Sequence, residues 1–161
     1  MGDSAEIIEF LLKANKTIAI VESCTGGLLN YAFGKVSGAS SVYRGGIISY
    51  QNAIKSEVLG VDREILEAKS AYSFEVLDLM LAGVLSVMQS DFAIATSGVA
   101  GPSGGTEDNP VGSVFIGVRQ VGYKSVMKKV HFGGSRTEIQ RKVVKFALRL
   151  FSETFIKSQN R

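Results

Sequence analysis

Apolar and polar residues change spacing several times along the chain, and each change predicts a new element of secondary structure. Residues 4–15 place apolar side chains at helical spacing, and the continuous apolar run at 17–21 predicts a strand buried on both faces. Two glycines, Gly26 and Gly27, precede a second helical pattern that begins near Leu28. The polar turn at 22–27 therefore joins a central strand to the start of a helix.

The rest of the chain continues this alternation. A second strand is predicted at 42–50, where Gly45 and Gly46 indicate a bulge or a close backbone approach. Later segments predict short helices at 51–59 and 62–68, a long helix at 73–88, a strand at 91–97 and a hairpin of strands at 111–120 and 124–132. A last helix begins with a capping box at 135–138, and Asp3, Asp62 and Ser73 are predicted to cap the helices that follow them. We expect one domain over residues 1–161 in the α/β class: a three-layer sandwich with a largely parallel central sheet plus a β-hairpin, and helices on both faces.

The long helix at 73–88 is apolar on nearly all of its faces. A helix of this kind is buried, either in the core of its own chain or under a partner subunit. On this ground we expect a homo-oligomer.

Composition narrows the class of protein. No apolar run approaches the ~18 residues of a membrane span, and the first residues lack the regions of a signal peptide. We therefore expect a soluble, cytoplasmic protein without membrane contact. One cysteine, Cys24, excludes an internal disulfide, and one histidine, His131, excludes a histidine-rich zinc site, so we expect neither metal nor cofactor. Because histidine is scarce, a hydrolytic nucleophile here would need a lysine or a carboxylate as its base.

The net charge of +3 conceals an uneven distribution. From Arg119 onward the chain holds 11 of its 18 basic residues but only two of its 15 acidic residues. A basic region of this kind would suit the phosphates of a nucleic acid or a nucleotide. The alternative is a solvated helix face, which we favour because Arg141, Lys142, Lys145 and Arg149 fall mostly outside the apolar stripe of the last helix. We therefore do not expect nucleic acid binding.

Two polar, glycine-bearing stretches, the turn at 22–27 and the loop at 98–110, each follow a predicted strand. If those strands are parallel neighbours, both stretches face the same crevice. The turn lies at a helix N-terminus, where backbone N–H groups and the helix dipole suit an anion or an oxyanion. Neither stretch is a standard nucleotide-binding fingerprint. The residues alone therefore predict a ligand with an anionic group, and the alternative is that the glycines serve tight turns only.

Several separated motifs carry a resemblance. They are ESCTGG at 22–27, GG at 45–46 with YxNxxK at 50–55, LGV at 59–61, and SGVAGPxGG at 97–105 followed by PVG at 110–112. In this order, and over nearly the whole chain, they resemble the C-terminal domain of the competence-damage-inducible CinA proteins. The stand-alone form of that domain is nicotinamide-nucleotide amidase. The resemblance thus implies hydrolysis of nicotinamide mononucleotide to nicotinic acid mononucleotide and ammonia, in the recycling of pyridine nucleotides.

The resemblance implies that Ser23 is the nucleophile and that Tyr50 and Lys55 complete the catalytic group. A lysine that acts as a base must be neutral, so the pKa of Lys55 must fall from about 10.4 toward 7 to 8. Cys24 is a rival nucleophile at the same helix end. Without the resemblance, Ser23 reads as a helix cap, Lys55 as a surface lysine and Tyr50 as the edge of the core. We assign the oxyanion hole to the backbone N–H groups of Thr25, Gly26 and Gly27.

Substrate contacts are predicted around the same crevice. Glu22 either supports the site or accepts a hydrogen bond from the ligand. The candidates for the substrate phosphate are Gly101, Ser103, Gly104, Gly105, Thr106 and Arg136, because backbone N–H groups and a guanidinium suit phosphate oxygens. The chain departs from the family pattern at Gln51, Tyr72, Asn109 and Ser135, where serine, valine, lysine and aspartate are usual. These departures spare the catalytic group but bear on ligand affinity, so the alternatives are a pyridine-nucleotide-binding module with little turnover, or a basic protein that binds nucleic acid or another partner.

Overall fold

The computed structural model of the protein describes residues 3–160, and its centre is a five-stranded sheet. The strands are β1 (Ile18–Glu22), β2 (Tyr43–Ile48), β3 (Phe92–Gly98), β4 (Ser113–Gln120) and β5 (Val126–His131). Their order across the sheet is β2-β1-β3-β4-β5. β1 pairs in parallel with both β2 and β3, whereas β4 and β5 add an antiparallel hairpin. The predicted parallel sheet with an attached hairpin is confirmed.

Helices cover both faces of the sheet. They are α1 (Ser4–Ala14), α2 (Leu28–Gly34), α3 (Asn52–Glu57), α4 (Arg63–Lys69), α5 (Phe74–Met88) and α6 (Arg136–Phe151). Because side chains alternate along a strand, β1 directs Ile18 and Ile20 into a core with α1, α2 and α6, and directs Ala19 and Val21 into a second core with α4 and α5. The predicted three-layer α/β architecture is therefore confirmed.

Four helices begin with the capping residues that the sequence predicts. The side chains of Asp3, Asp62, Ser73 and Ser135 accept hydrogen bonds from backbone N–H groups in the first turns of α1, α4, α5 and α6. A short 3-10 turn, Ala39–Ser41, precedes β2, and a π-helical turn at Ser152–Ile156 with a 3-10 turn at Lys157–Asn160 follows α6. Within residues 3–160, every helix is too short or too polar to span a membrane.

The apolar faces of α5 are explained mainly by the core of this chain. Its fully or nearly fully buried residues are Val76, Leu77, Met80, Leu81, Val84 and Leu85. Only the ends of the helix expose large apolar side chains, at Phe74 and Val87. Burial within one subunit thus accounts for the pattern, and the homo-oligomer stays a prediction.

Strand β2 shows both features that its two glycines indicate. Ile18 lies opposite Tyr43 and Ala19 opposite Gly45, so Arg44 is the extra residue of a bulge. Gly46 lies so close to β1 that a Cβ atom on it would stand 2.5 Å from the carbonyl oxygen of Ile20. The strand ends at Ile48, two residues earlier than predicted, which leaves Ser49 and Tyr50 in the connection to α3.

Candidate active site

The turn after β1 holds Ser23 between two strands. The N–H of Ser23 donates to the carbonyl oxygen of Thr96 on β3 at 3.0 Å, and the N–H of Gly26 donates back to the carbonyl oxygen of Ser23 at 3.1 Å. Gly26 and Gly27 have φ angles of +60° and +109°, which glycine adopts most readily. The chain can therefore reverse at once into α2, and Ser23 stays at the carboxyl end of the sheet.

Lys55 reaches the same point from α3. Its side chain is only 1% exposed, and its Nζ atom lies 3.3 Å from Ser23 Oγ and 2.7 Å from the carbonyl oxygen of Ser49. Burial disfavours the charged ammonium and lowers the pKa of Lys55 to about 8. The structure thus brings together a serine hydroxyl and an amine that can lose its proton near neutral pH.

The ends of β1 and β2 fix the geometry of this pair. Ser49 donates both its N–H, at 2.7 Å, and its hydroxyl, at 3.2 Å, to the carbonyl oxygen of Glu22. The carbonyl of Ser49 then accepts the hydrogen bond from Lys55. Ser49 is fully buried, and no local sequence signal identifies it, because its role depends on the pairing of two strands.

Glu22 supports the start of helix α2. Its carboxylate is fully buried and accepts bonds from the N–H groups of Leu29 at 2.8 Å and Asn30 at 2.9 Å, and from Asn30 Nδ2 at 2.6 Å. A carboxylate at this position satisfies free N–H groups and compensates the positive end of the helix dipole. The expectation of a ligand contact at Glu22 is therefore corrected, and the alternative of a supporting role holds.

A polar cavity of about 250 Å³ opens in front of Ser23. Its lining joins the turn after β1, the connection after β2, the segment before α5, the glycine loop and the start of α6: Ser23, Cys24, Tyr50, Tyr72, Gly98, Val99, Ala100, Gly101, Ser103, Gly104 and Arg136. The crevice expected from the two glycine-bearing stretches is confirmed, and its volume lies just below the ~300 to 1,000 Å³ of typical small-molecule sites.

Arg136 bridges two parts of the cavity wall. It is the first residue of α6, and its guanidinium donates to the carbonyl oxygen of Gly101 at 2.7 Å and to the hydroxyl of Tyr50. In the part of the chain that the structure describes, the Tyr50 hydroxyl therefore bonds to Arg136 and not to Ser23. Tyr50 lines the cavity together with Ser23 but is not part of the hydrogen-bond chain that joins Ser23 to Lys55.

Two groups of predicted site residues lie outside the cavity lining found among residues 3–160. Thr25 is buried, with its hydroxyl 2.8 Å from that of Thr96, and the N–H of Gly26 is already bonded. Gly26 has therefore already used its N–H within the turn, and the oxyanion assignment to the N–H groups of Thr25 and Gly27 stays a prediction. Gly105 and Thr106 shape the loop instead of the cavity, since the N–H of Thr106 donates to the carbonyl oxygen of Asn109 at 2.9 Å.

Cys24 lines the cavity but is poorly suited to be the nucleophile. Its side chain is buried, and this burial raises the pKa of the thiol to about 12, so the reactive thiolate is rare. The carbonyl of Cys24 accepts a hydrogen bond from Gln140 Nε2 at 2.9 Å, a contact that the sequence analysis missed. The spacing of α6 could have indicated this contact, because Gln140 lies one helical turn after the predicted site residue Arg136 and on the same face of the helix.

The fold and the cavity define an α/β domain with a buried serine–lysine pair beside a polar cavity. Residues 3–155 match the family model of the CinA C-terminal domain, and the chain therefore belongs to this family. The resemblance of the sequence motifs to the CinA C-terminal domain is confirmed.

Relatives and solved structures agree with this assignment. The chain is 41% identical over 144 residues to a putative competence-damage inducible protein of Thermoanaerobacter sp., which covers 89% of this chain and 35% of that protein. It is 40% identical over 144 residues to a CinA-like protein of Thermotoga neapolitana, with the same coverage. The chain thus spans about a third of the length of these curated relatives.

Two crystal structures have the same fold. The competence damage-inducible protein A from Klebsiella pneumoniae superposes with a TM-score of 0.90 at 33% identity, covering 93% of this chain and 92% of that chain. A CinA superfamily protein from Escherichia coli gives a TM-score of 0.90 at 27% identity, covering 94% and 88%. The arrangement of strands and helices described above is therefore the one found in this superfamily.

Proposed function

We propose that this protein is an amidohydrolase that converts nicotinamide mononucleotide into nicotinic acid mononucleotide and ammonia. The observation that carries the proposal is the buried Lys55 amine, 3.3 Å from the Ser23 hydroxyl at the polar cavity. Membership of the CinA family supports a pyridine-nucleotide-related function. The specific substrate comes from the resemblance to nicotinamide-nucleotide amidase.

In the proposed first step, neutral Lys55 takes the proton of Ser23 while the serine oxygen attacks the carboxamide carbon. The new C–O bond pushes the carbonyl electron pair onto oxygen. When this intermediate collapses, the C–N bond breaks, and the Lys55 ammonium returns the proton to the leaving nitrogen. Ammonia departs and leaves an acyl-enzyme. Water then attacks the ester with Lys55 again as base, which releases the acid and restores Ser23.

The lowered pKa of Lys55 makes this role available near neutral pH. With a pKa of about 8, about one lysine in ten is neutral at pH 7. An unperturbed lysine with a pKa of about 10.4 would be neutral in only about one molecule in 2,500. Burial therefore raises the fraction of Lys55 that is neutral at pH 7 roughly two hundredfold above that of an unperturbed lysine.

Other cavity residues receive roles that follow from their positions. The guanidinium of Arg136 has five N–H donors, two of which are bonded to Gly101 and Tyr50, so it can still bind a phosphate. The backbone N–H of Cys24, the residue after Ser23 at the cavity, is a further candidate for stabilising the oxyanion beside those of Thr25 and Gly27. Tyr50, which the resemblance places in the catalytic group, would relay a proton after release from Arg136.

A second candidate is a pyridine-nucleotide-binding module with little turnover. The observation that favours it is the bond between Tyr50 and Arg136, which keeps the Tyr50 hydroxyl away from Ser23. The two candidates differ in product formation: the module would bind nicotinamide mononucleotide saturably and release no ammonia.

The deciding experiment is ammonia release from nicotinamide mononucleotide by the purified protein and by Ser23→Ala and Lys55→Met. Lys69→Met is the matched control, because Lys69 is an exposed lysine in the last turn of α4. We expect activity in the wild type and in Lys69→Met, and a loss of at least about a hundredfold in the two cavity variants. Wild-type activity in Ser23→Ala would refute the mechanism, and saturable binding without product would favour the binding module.

A further inference from the structure

Tyr72 forms part of the wall of the cavity, on the short connection between α4 and α5. We propose that Tyr72 is a specificity-determining residue whose ring packs against a planar, cationic pyridinium ring next to the scissile carboxamide. This inference rests on the proposed function and adds to it the surface that selects the ring.

The backbone before Tyr72 has an uncommon conformation. Ser70 has a φ angle of +69°, which residues other than glycine rarely adopt. Its hydroxyl accepts the N–H of Tyr72 at 3.2 Å, and its carbonyl accepts the hydroxyl of Ser73 at 2.8 Å. Such conformations persist where the surroundings hold them, and they are concentrated at ligand sites.

This segment is attached to the same strand as the nucleophile. The hydroxyl of buried Ser97 donates to the carbonyl oxygen of Ala71 at 3.1 Å. The residue before it, Thr96, accepts the N–H of Ser23 at 3.0 Å. Two adjacent residues of β3 therefore hold the two segments: Thr96 binds Ser23, and Ser97 binds Ala71, the neighbour of Tyr72. Arg136, in contrast, is bonded to the glycine loop and to Tyr50. Tyr72 and Ser23 thus line the same cavity on segments that one strand holds.

The chemistry of the substrate explains why a tyrosine suits this position. Nicotinamide mononucleotide carries its carboxamide on an aromatic ring with a positive charge, so the ring must lie within a few ångströms of Ser23 during attack. The face of a tyrosine ring attracts a cation and also stacks on planar rings. Tyr72 is half-buried, which leaves part of its ring available to the cavity.

A pair of ligands tests the inference directly. Nicotinamide mononucleotide and its reduced form share the phosphate, the ribose and the carboxamide, but the reduced ring is neutral and not aromatic. Binding of both is measured by calorimetry on Ser23→Ala, which prevents turnover, with and without Tyr72→Leu or Tyr72→Phe. Tyr123→Leu is the matched control, because Tyr123 is an exposed tyrosine remote from this cavity lining.

We expect Tyr72→Leu to weaken binding of the oxidised nucleotide about tenfold and that of the reduced nucleotide less than about twofold. Tyr72→Phe keeps an aromatic face and should cost less than about threefold, and Tyr123→Leu should change nothing. Equal weakening of both ligands, or no weakening of either, would overturn the role of Tyr72 even if the wild type releases ammonia. Absence of both nucleotide binding and ammonia release in the wild type would overturn the proposed function together with this inference.

Discussion

The Nζ atom of Lys55 lies 2.7 Å from the carbonyl oxygen of Ser49, closer than to the hydroxyl of Ser23 at 3.3 Å. The lysine is therefore held by the protein backbone before any ligand arrives. Because Ser49 is itself bonded to the carbonyl of Glu22, the proposed base Lys55 and the proposed nucleophile Ser23 are both anchored to the end of β1. A site fixed in this way requires little rearrangement for the first proton transfer.

The proposed mechanism predicts that activity rises with pH. Only neutral Lys55 can accept the serine proton, and its pKa is lowered to about 8, so the active fraction grows about tenfold per pH unit below this value. We expect kcat/KM for nicotinamide mononucleotide to increase from pH 6 and to level off above about pH 8.5. A flat profile over this range, with a protein that remains folded, would contradict Lys55 as the base.

Replacing Glu22 with glutamine should lower stability without removing ligand binding. The buried carboxylate accepts three hydrogen bonds at the start of α2, and an amide group can accept fewer and adds donors of its own. We expect Glu22→Gln to reduce the free energy of unfolding in urea by about 2 kcal/mol. Nucleotide binding to Ser23→Ala should change less than about twofold when Glu22→Gln is added, under conditions where both are folded. Loss of binding at unchanged stability would return Glu22 to the ligand site.

Gly46→Ala should be strongly destabilising. The added Cβ would collide with the side chain of Asn30 and would stand 2.5 Å from the carbonyl oxygen of Ile20. We expect a loss of about 3 kcal/mol in urea unfolding, because β2 must move away from β1.

Gly34→Ala is the matched control for this glycine. A Cβ at Gly34 has no neighbour within 4 Å, and the residue lies in α2 without a positive φ angle. This variant should be neutral or more stable by up to about 1 kcal/mol, because alanine favours a helix. Similar effects of the two variants would show that the close approach of β2 to β1 does not limit stability.

Arg136→Ala should weaken binding of the phosphate group selectively. A charge-assisted hydrogen bond contributes about 1.5 to 3 kcal/mol, so we expect binding of nicotinamide mononucleotide to Ser23→Ala to weaken by about ten- to a hundredfold. Nicotinamide riboside, which lacks the phosphate, should be affected less than about twofold. Arg141→Ala, an exposed arginine on the same helix, should leave both affinities unchanged. Equal losses for the two ligands would mean that Arg136 shapes the cavity and does not bind phosphate.

Local patterns in the sequence predict local structure well in this protein. The capping residues Asp3, Asp62, Ser73 and Ser135, the reversal at Gly26 and Gly27, and the close approach at Gly46 each depend on a few neighbouring residues or on one strand pair. The proximity of Ser23 and Lys55 followed from the family motif, because their spacing alone does not show that α3 returns to the end of β1.

Contacts between distant segments could not be predicted in this way. Ser49 bonds to Glu22 at the end of β1, Tyr50 bonds to a residue 86 positions later, and the carbonyl of Ala71, the neighbour of Tyr72, accepts a hydrogen bond from Ser97 on β3. Each of these depends on the order of strands in the sheet and on which helix covers which face. Hydrophobic spacing contains no information about that order, since it reports only which residues are buried.

The bridge that Arg136 makes has a consequence for synthesis of the protein. Arg136 follows Ser23 by 136 − 23 = 113 residues, and both the bridge and the bond from Gln140 to Cys24 belong to α6. A nascent chain that has exposed everything up to β5 already contains the serine and the lysine, but it lacks one wall of the cavity. Since chains emerge at roughly 5 to 20 residues per second, Ser23 leaves the ribosome about 6 to 23 seconds before Arg136, which completes this wall of the cavity.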